Sequence, residues 1–283
     1  MNSNESGSTG RRTLRRTLPR AAGAVAVATA LGAALVGCGG QSKNSARQDG
    51  ADAAGQTKQG APTTGAKVLW VGDSIAGTEA PALGAAMKAS GVDFKDASSD
   101  GGGTVVDGGD EITGKIAEDT WKQLADAIGS FRPTVVAYQI TTYDWGSQDK
   151  QRAAYEKLAK TVKDAGAELA LVPAPPIKID EFYKQHEPQM RTAPTVARDV
   201  AKNSGGAAVF LDSSQLWGND AAAKKAHRAA DGIHNCQQGA AAFAKWFSEQ
   251  LGAQAGFTPA PVDTWAKGSW TGDARYASLS CGN

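Results

Sequence analysis

Nine residues, Lys67 to Ile75 with the sequence K-V-L-W-V-G-D-S-I, constrain this chain most. Val68, Leu69, Trp70 and Val71 form an unbroken β-favouring run with no polar alternation, the pattern of a parallel strand covered on both faces. Gly72 ends the run. The segment from Ile75 to Ser90 is rich in Ala, Leu and Met and reads as a helix, so Ser74 falls at the carboxyl end of a strand and the start of a helix. Open α/β sheets bind their ligands at that edge.

A Gly-Asp-Ser tripeptide by itself is most often a turn, because Asp and Ser bond their own backbone and Gly tolerates unusual dihedrals. A serine hydroxyl is also a weak nucleophile until a base takes its proton. The sequence supplies a base far downstream, in Asp231-Gly232-Ile233-His234. Three residues separate carboxylate and imidazole on one turn, close enough for Asp231 to orient the ring while the ring takes a proton from Ser74.

The Gly-Asp-Ser turn after a first strand and the distal Asp-x-x-His, 160 residues on (from 74 to 234), together resemble the SGNH (GDSL-type) hydrolase family of esterases, deacetylases and acyltransferases. The resemblance covers roughly Lys67 to Leu251. It implies a three-layer α/β/α, flavodoxin-like domain with a central, mainly parallel sheet. It also implies a catalytic set of Ser74, Asp231 and His234 working through a covalent seryl ester. The family has a glycine after its second strand that donates to the developing oxyanion. Gly102, in Ser98-Ser99-Asp100-Gly101-Gly102-Gly103-Thr104, takes that place, with Gly101 and Gly103 beside it. After the next strand the family usually carries Gly-x-Asn-Asp, whose asparagine is a second oxyanion donor. Here Thr142-Tyr143-Asp144-Trp145 stands in that region, and aligning Asp144 with the final Asp puts Tyr143 where the asparagine is expected, so Tyr143 and Asp144 join Gly102 as the expected oxyanion or substrate-binding residues. Losing such a donor costs about 10²- to 10³-fold in turnover when nothing replaces it. The Tyr143 hydroxyl, Thr142 or a backbone N–H are the groups that remain to replace it.

Ahead of this domain, residues 1–37 read as an address rather than as fold. Arg11-Arg12 and Arg15-Arg16 make a basic head, and Ala21 to Val36 is an apolar run too short to span a bilayer comfortably. It ends in Leu35-Val36-Gly37-Cys38, which resembles a bacterial lipobox, in which the cysteine is acylated and becomes the first mature residue. The twin arginines also suggest the twin-arginine export route beside ordinary secretion. Residues 38–66 contain almost no large apolar side chain and are expected to be a flexible tether. The chain is therefore expected on the outer face of the cell membrane, held by lipid alone. Removing the leader's five arginines and one glutamate from the 30 basic and 29 acidic residues leaves 25 and 28, a net charge of about −3. No basic run outside the leader interleaves with aromatics, so nothing points to nucleic acid.

From residue 67 to 255 strand and helix signals alternate. Strands are expected at Val92 to Ala97, Thr134 to Thr141, Glu168 to Pro173 and Ala207 to Asp212. Helices are expected at Ile112 to Phe131, Gln148 to Gly166, Val196 to Asn203 and Gln237 to Leu251. Ile177 to Pro194, with prolines at 188 and 194, reads as an irregular wall over the site, and His186 within it as a bland surface group. Residues 256–283 form a turn-rich tail whose Trp265, Trp270 and Tyr276 either pack on the domain or line a carbohydrate cleft. With Cys38 assigned to lipid, Cys236 and Cys281 remain, and export to an oxidising compartment predicts a disulfide between them. Three histidines and no Cys-x-x-Cys pair give a metal little support, and no dinucleotide or phosphate-loop motif is present, so a cofactor-free site is expected. The expected partner is an acylated small molecule or cell-envelope glycan, met by a monomer. The resemblance implies removal of O-acyl groups from such a glycan, acetyl among them. The alternatives are an acyltransferase on the same scaffold and a lipoprotein that binds a glycan without turnover.

Overall fold

The computed structural model describes residues 64–281. The expected leader and Cys38 lie outside them.

Five parallel strands form one sheet: β1 (Lys67–Val71), β2 (Asp93–Asp96), β3 (Val135–Ile140), β4 (Glu168–Pro173) and β5 (Ala208–Phe210), in the order β2-β1-β3-β4-β5. The long helices between them are α1 (Ser74–Ala89), α2 (Glu111–Phe131), α3 (Gln148–Asp164), then a single turn α4 (Glu181–Lys184), α5 (Glu187–Asn203), another single turn α6 (Ser214–Trp217) and α7 (Gln237–Ala255). This is the three-layer α/β/α architecture expected.

The apolar strands explain the layers. Alternate residues of β1, β3 and β4 point to opposite faces. Val68, Trp70, Val135, Ala137, Ala170 and Val172 join one core with α1 and α7, where Phe243 and Phe247 pack against Trp70. Leu69, Val71, Val136, Tyr138, Leu169 and Leu171 join the other, beneath α2, α3 and α5. Burying each of these large side chains contributes roughly 1.5–3 kcal/mol, so the sheet is fixed from both sides. The Trp70 indole also donates to the Ala76 carbonyl at 2.9 Å, tying the end of β1 to the first turn of α1.

One local reading is corrected. Helix α5 begins at Glu187 and not near Val196, running through both Pro188 and Pro194. Proline suits the first helical turn, where its missing N–H has no partner in any case. Pro194 does remove an internal bond, which the buried face of Ala193, Val196, Ala197, Val200 and Ala201 offsets. In α2 the buried face is Thr113, Ala117, Thr120, Leu124 and Ala127, with Ile116, Trp121 and Ile128 only half-buried at its margin.

The tail packs on the domain, with Trp265 and Tyr276 buried. The Tyr276 hydroxyl donates to the Thr78 carbonyl of α1 at 2.8 Å, and Arg275 pairs with Asp96 at 3.1 Å. The Cys236–Cys281 disulfide is present, joining the residue before α7 to the end of the tail.

Candidate active site

The strand order changes direction between β1 and β3, which opens a crevice beyond their carboxyl ends. Ser74 and His234 meet there. Asp73 caps α1 and Ser74 is its first residue, so the serine sits at the positive end of a helix dipole with one of the helix's unpaired N–H groups.

Asp73 does more than cap. One carboxylate oxygen accepts from the Ile75 N–H at 2.9 Å. The other accepts from the Thr142 N–H at 3.0 Å and the Thr142 hydroxyl at 2.9 Å. A single buried side chain thus holds the start of α1 against the loop after β3, which a Gly-Asp-Ser turn alone does not reveal.

His234 reaches this corner from the far end of the domain. Its Nε2 lies 2.8 Å from the Ser74 hydroxyl and its Nδ1 lies 2.7 Å from Asp231. The other Asp231 oxygen accepts the N–H groups of Ile233 at 2.8 Å and His234 at 3.0 Å. Partial burial alone would raise the pKa of Asp231, but the bonds from the His234 ring and these two amides outweigh it and hold the carboxyl below its ordinary value. Asp231 is therefore an anion placed to orient the ring, with Nε2 facing the serine hydroxyl.

The turn carrying this pair is itself braced. Arg228 donates to the Ala226 carbonyl at 2.9 Å and the Ile233 carbonyl at 2.7 Å, and the Ala229 N–H donates to His234 at 2.7 Å. Arg228 is one of the residues that motif reading missed, since a lone arginine carries no signal. A second is Glu79, fully buried on α1 and bonded by the Gln139 amide at 2.6 Å. Burial pushes its pKa up to about 8, against the pull of the Arg228 charge and the Gln139 bond.

Gly102 has a positive φ of 99°, and a Cβ there would stand 3.1 Å from the Tyr143 ring. Gly103 approaches still more closely: its added Cβ would fall 2.5 Å from the Gly72 carbonyl oxygen. The glycines are what let this loop lie against the end of β1. Tyr143 is half-buried over Gly102, its pKa raised by burial and then by the Asp73 charge, so the phenol stays protonated. Around it stand Trp145, Phe182 and Tyr183, at ring separations of 5.2, 6.2 and 6.4 Å. His186 stacks on Trp145 at 3.8 Å and has no part near Ser74 in any contact observed. The loop from Ala174 to Asp180 closes the opposite side, where the Lys178 N–H donates to the Gly232 carbonyl at 2.8 Å.

Asp144 is a correction. It was expected to touch oxyanion or substrate, yet it is fully buried. One of its oxygens accepts the hydroxyls of Thr104 at 2.6 Å, Tyr138 at 2.7 Å and Thr141 at 2.9 Å, and the other accepts Tyr155 at 2.7 Å. Burial lifts its pKa to about 6 even though all four hydroxyls pull it down. Its work is to knit the loop after β3 to β3, α3 and the glycine loop.

Comparison with protein-family profiles and with curated proteins finds no match. Solved structures do match. A protein from Bacteroides fragilis described as a candidate acylhydrolase superposes with a TM-score of 0.51 at 13% identity, over 69% of this chain and 91% of that one. LAE5, an α/β hydrolase enzyme from the metagenome of Lake Arreo, gives 0.50 at 15% identity, over 67% and 96%. The fold is shared. At these identities the likeness extends to architecture, and the chemistry must be argued from the side chains in the crevice.

Proposed function

We propose that the protein is a serine esterase that removes O-acyl groups through a covalent seryl ester. The observation that carries this is the unbroken relay Asp231–His234–Ser74, with links of 2.7 and 2.8 Å, at the crevice of the sheet. In the first step Ser74 Oγ bonds to the ester carbonyl carbon while its proton passes to His234 Nε2. The negative charge that develops on the carbonyl oxygen meets the N–H groups of Ser74 and Gly102, with Tyr143 beside Gly102 in place of the expected asparagine. Collapse breaks the bond to the alcohol, which takes the proton from His234. Water activated by the same imidazole then cleaves the seryl ester, releasing the acid and restoring Ser74. The names of both matched structures, acylhydrolase and α/β hydrolase, agree with this chemistry.

Export and acylation at Cys38 put the enzyme on the outer face of the membrane, where acylated cell-envelope glycans are the substrates within reach. A fluorophosphonate probe is expected to label the purified domain and to fail on Ser74→Ala. Labelling that survives the substitution, or never occurs, overturns the esterase in favour of a glycan-binding protein. Release of free acid on incubation with acylated glycan, as opposed to its transfer to another sugar hydroxyl, distinguishes hydrolase from transferase.

A further inference from the structure

Beside the crevice lies a cavity of about 170 Å³, lined by Ile140, Thr142, Pro176, Ile177, Ile179 and Met190 among others. Two contacts bracket it against the catalytic residues. On one side Thr142 is bonded through both its N–H and its hydroxyl to Asp73, the neighbour of Ser74. On the other, the loop carrying Ile177 and Ile179 is bonded through Lys178 to Gly232, inside the Asp231–His234 turn. The cavity therefore lies between the loop bonded to Asp73 and the loop bonded to the Asp231–His234 turn.

Its lining is mainly aliphatic, with Thr141, Thr142 and Asn219 as its uncharged polar members. Ile177, Ile179, Pro176 and Met190 are each only half-buried within the protein, leaving aliphatic surface turned to the cavity. The charged residues of its lining, Glu187 and Arg191, pair with each other, Arg191 Nε donating to Glu187 at 3.0 Å. An anionic or cationic ligand finds no free counter-charge there. Methionine adds an adaptable wall that moulds to a flexible chain.

We infer that this cavity is the acyl pocket, and that the enzyme prefers unbranched acyl chains of roughly four to eight carbons over acetyl. This rests on the esterase reading above and names the part of the substrate it left open. The length follows from volume, since an apolar protein cavity of about 150 Å³ holds a six-carbon ring. An acetyl group would leave most of the pocket unused. Each further methylene moved from water into it is worth about fourfold in kcat/KM until the space is filled.

The experiment measures kcat/KM for p-nitrophenyl esters from acetyl to dodecanoyl, on the wild type and on Met190→Trp and Ile179→Trp. The wild type is expected to rise three- to fourfold per methylene from acetyl to about hexanoyl and then to level off or fall. Each tryptophan is expected to lower the hexanoyl value at least tenfold and to leave the acetyl value within about twofold. A wild-type profile that falls from acetyl onward overturns the pocket, as do variants that lower both esters equally or neither. Labelling of Ser74 by a small ethyl fluorophosphonate runs in parallel. Intact labelling with a flat profile rejects the pocket alone, whereas absent wild-type labelling rejects the esterase and the pocket with it. If a tryptophan variant loses labelling through misfolding, Met190→Ala decides instead. Its wider pocket is expected to move the optimum to a longer chain, and an unmoved optimum counts against the proposal.

Discussion

At the scale of single residues, Asp231 and Asp144 show how the same side chain is given two jobs by its surroundings. Asp231 keeps its charge because amides and the imidazole point at it, and it spends that charge on the tautomer of His234. Asp231→Asn preserves size but presents the ring with a partner that no longer fixes its proton. We expect kcat to fall about 10³- to 10⁴-fold with KM little changed, and steady-state kinetics on a chromogenic ester will show it. That Ser74, Asp231 and His234 come together was legible in the sequence, because a proposed serine relay requires specific side chains in a specific order. Asp144 was not legible in the same way. Its role is set by hydroxyls at positions 104, 138, 141 and 155, whose convergence on one carboxylate exists only after folding.

At the scale of elements, the strands could be read closely because burial on both faces leaves an unmistakable apolar run, and Glu168–Pro173 was read with both its ends. The start of α5 was missed because proline signals were given more weight than the buried Ala/Val stripe that follows them. Loop geometry was partly legible: three consecutive glycines announced a close approach without saying to what. The structure answers with the end of β1. A Cβ on Gly103 would meet backbone atoms of Gly72 at 2.5 and 3.0 Å and the Asp73 nitrogen at 3.3 Å, none of which moves without shifting Ser74. Gly103→Ala is therefore expected to lower kcat roughly ten- to a hundredfold. Gly101→Ala, two residues away with nothing within 4 Å of the added methyl, is expected to behave as wild type. Equal losses in both variants would show that the loop's position is unimportant.

At the scale of the whole molecule, stability is tied to pH through a group that the reaction does not use. Glu79 is buried with its pKa raised from 4.5 to about 8, so folding favours its protonated form. That contribution is complete below pH 4.5 and is lost as pH rises toward 8. Asp144, raised from 3.8 to about 6, acts in the same direction but only up to pH 6, so the window from 6 to 8 belongs to Glu79. The wild type is expected to lose on the order of a few kcal/mol across the full range. Glu79→Gln cannot ionise and is expected to flatten the melting temperature between pH 6 and 8. Calorimetric melts of both proteins across that range decide the matter, and parallel curves would assign the dependence elsewhere.

The bond between Cys236 and Cys281 spans 45 positions, so it encloses α7 and nearly all of the tail in a covalent ring whose near end lies two residues past His234. A ring can be opened once without falling apart. A single protease cut anywhere between the two cysteines leaves both fragments covalently joined. The turn-rich tail that follows α7 is thus a stretch in which one broken peptide bond separates nothing.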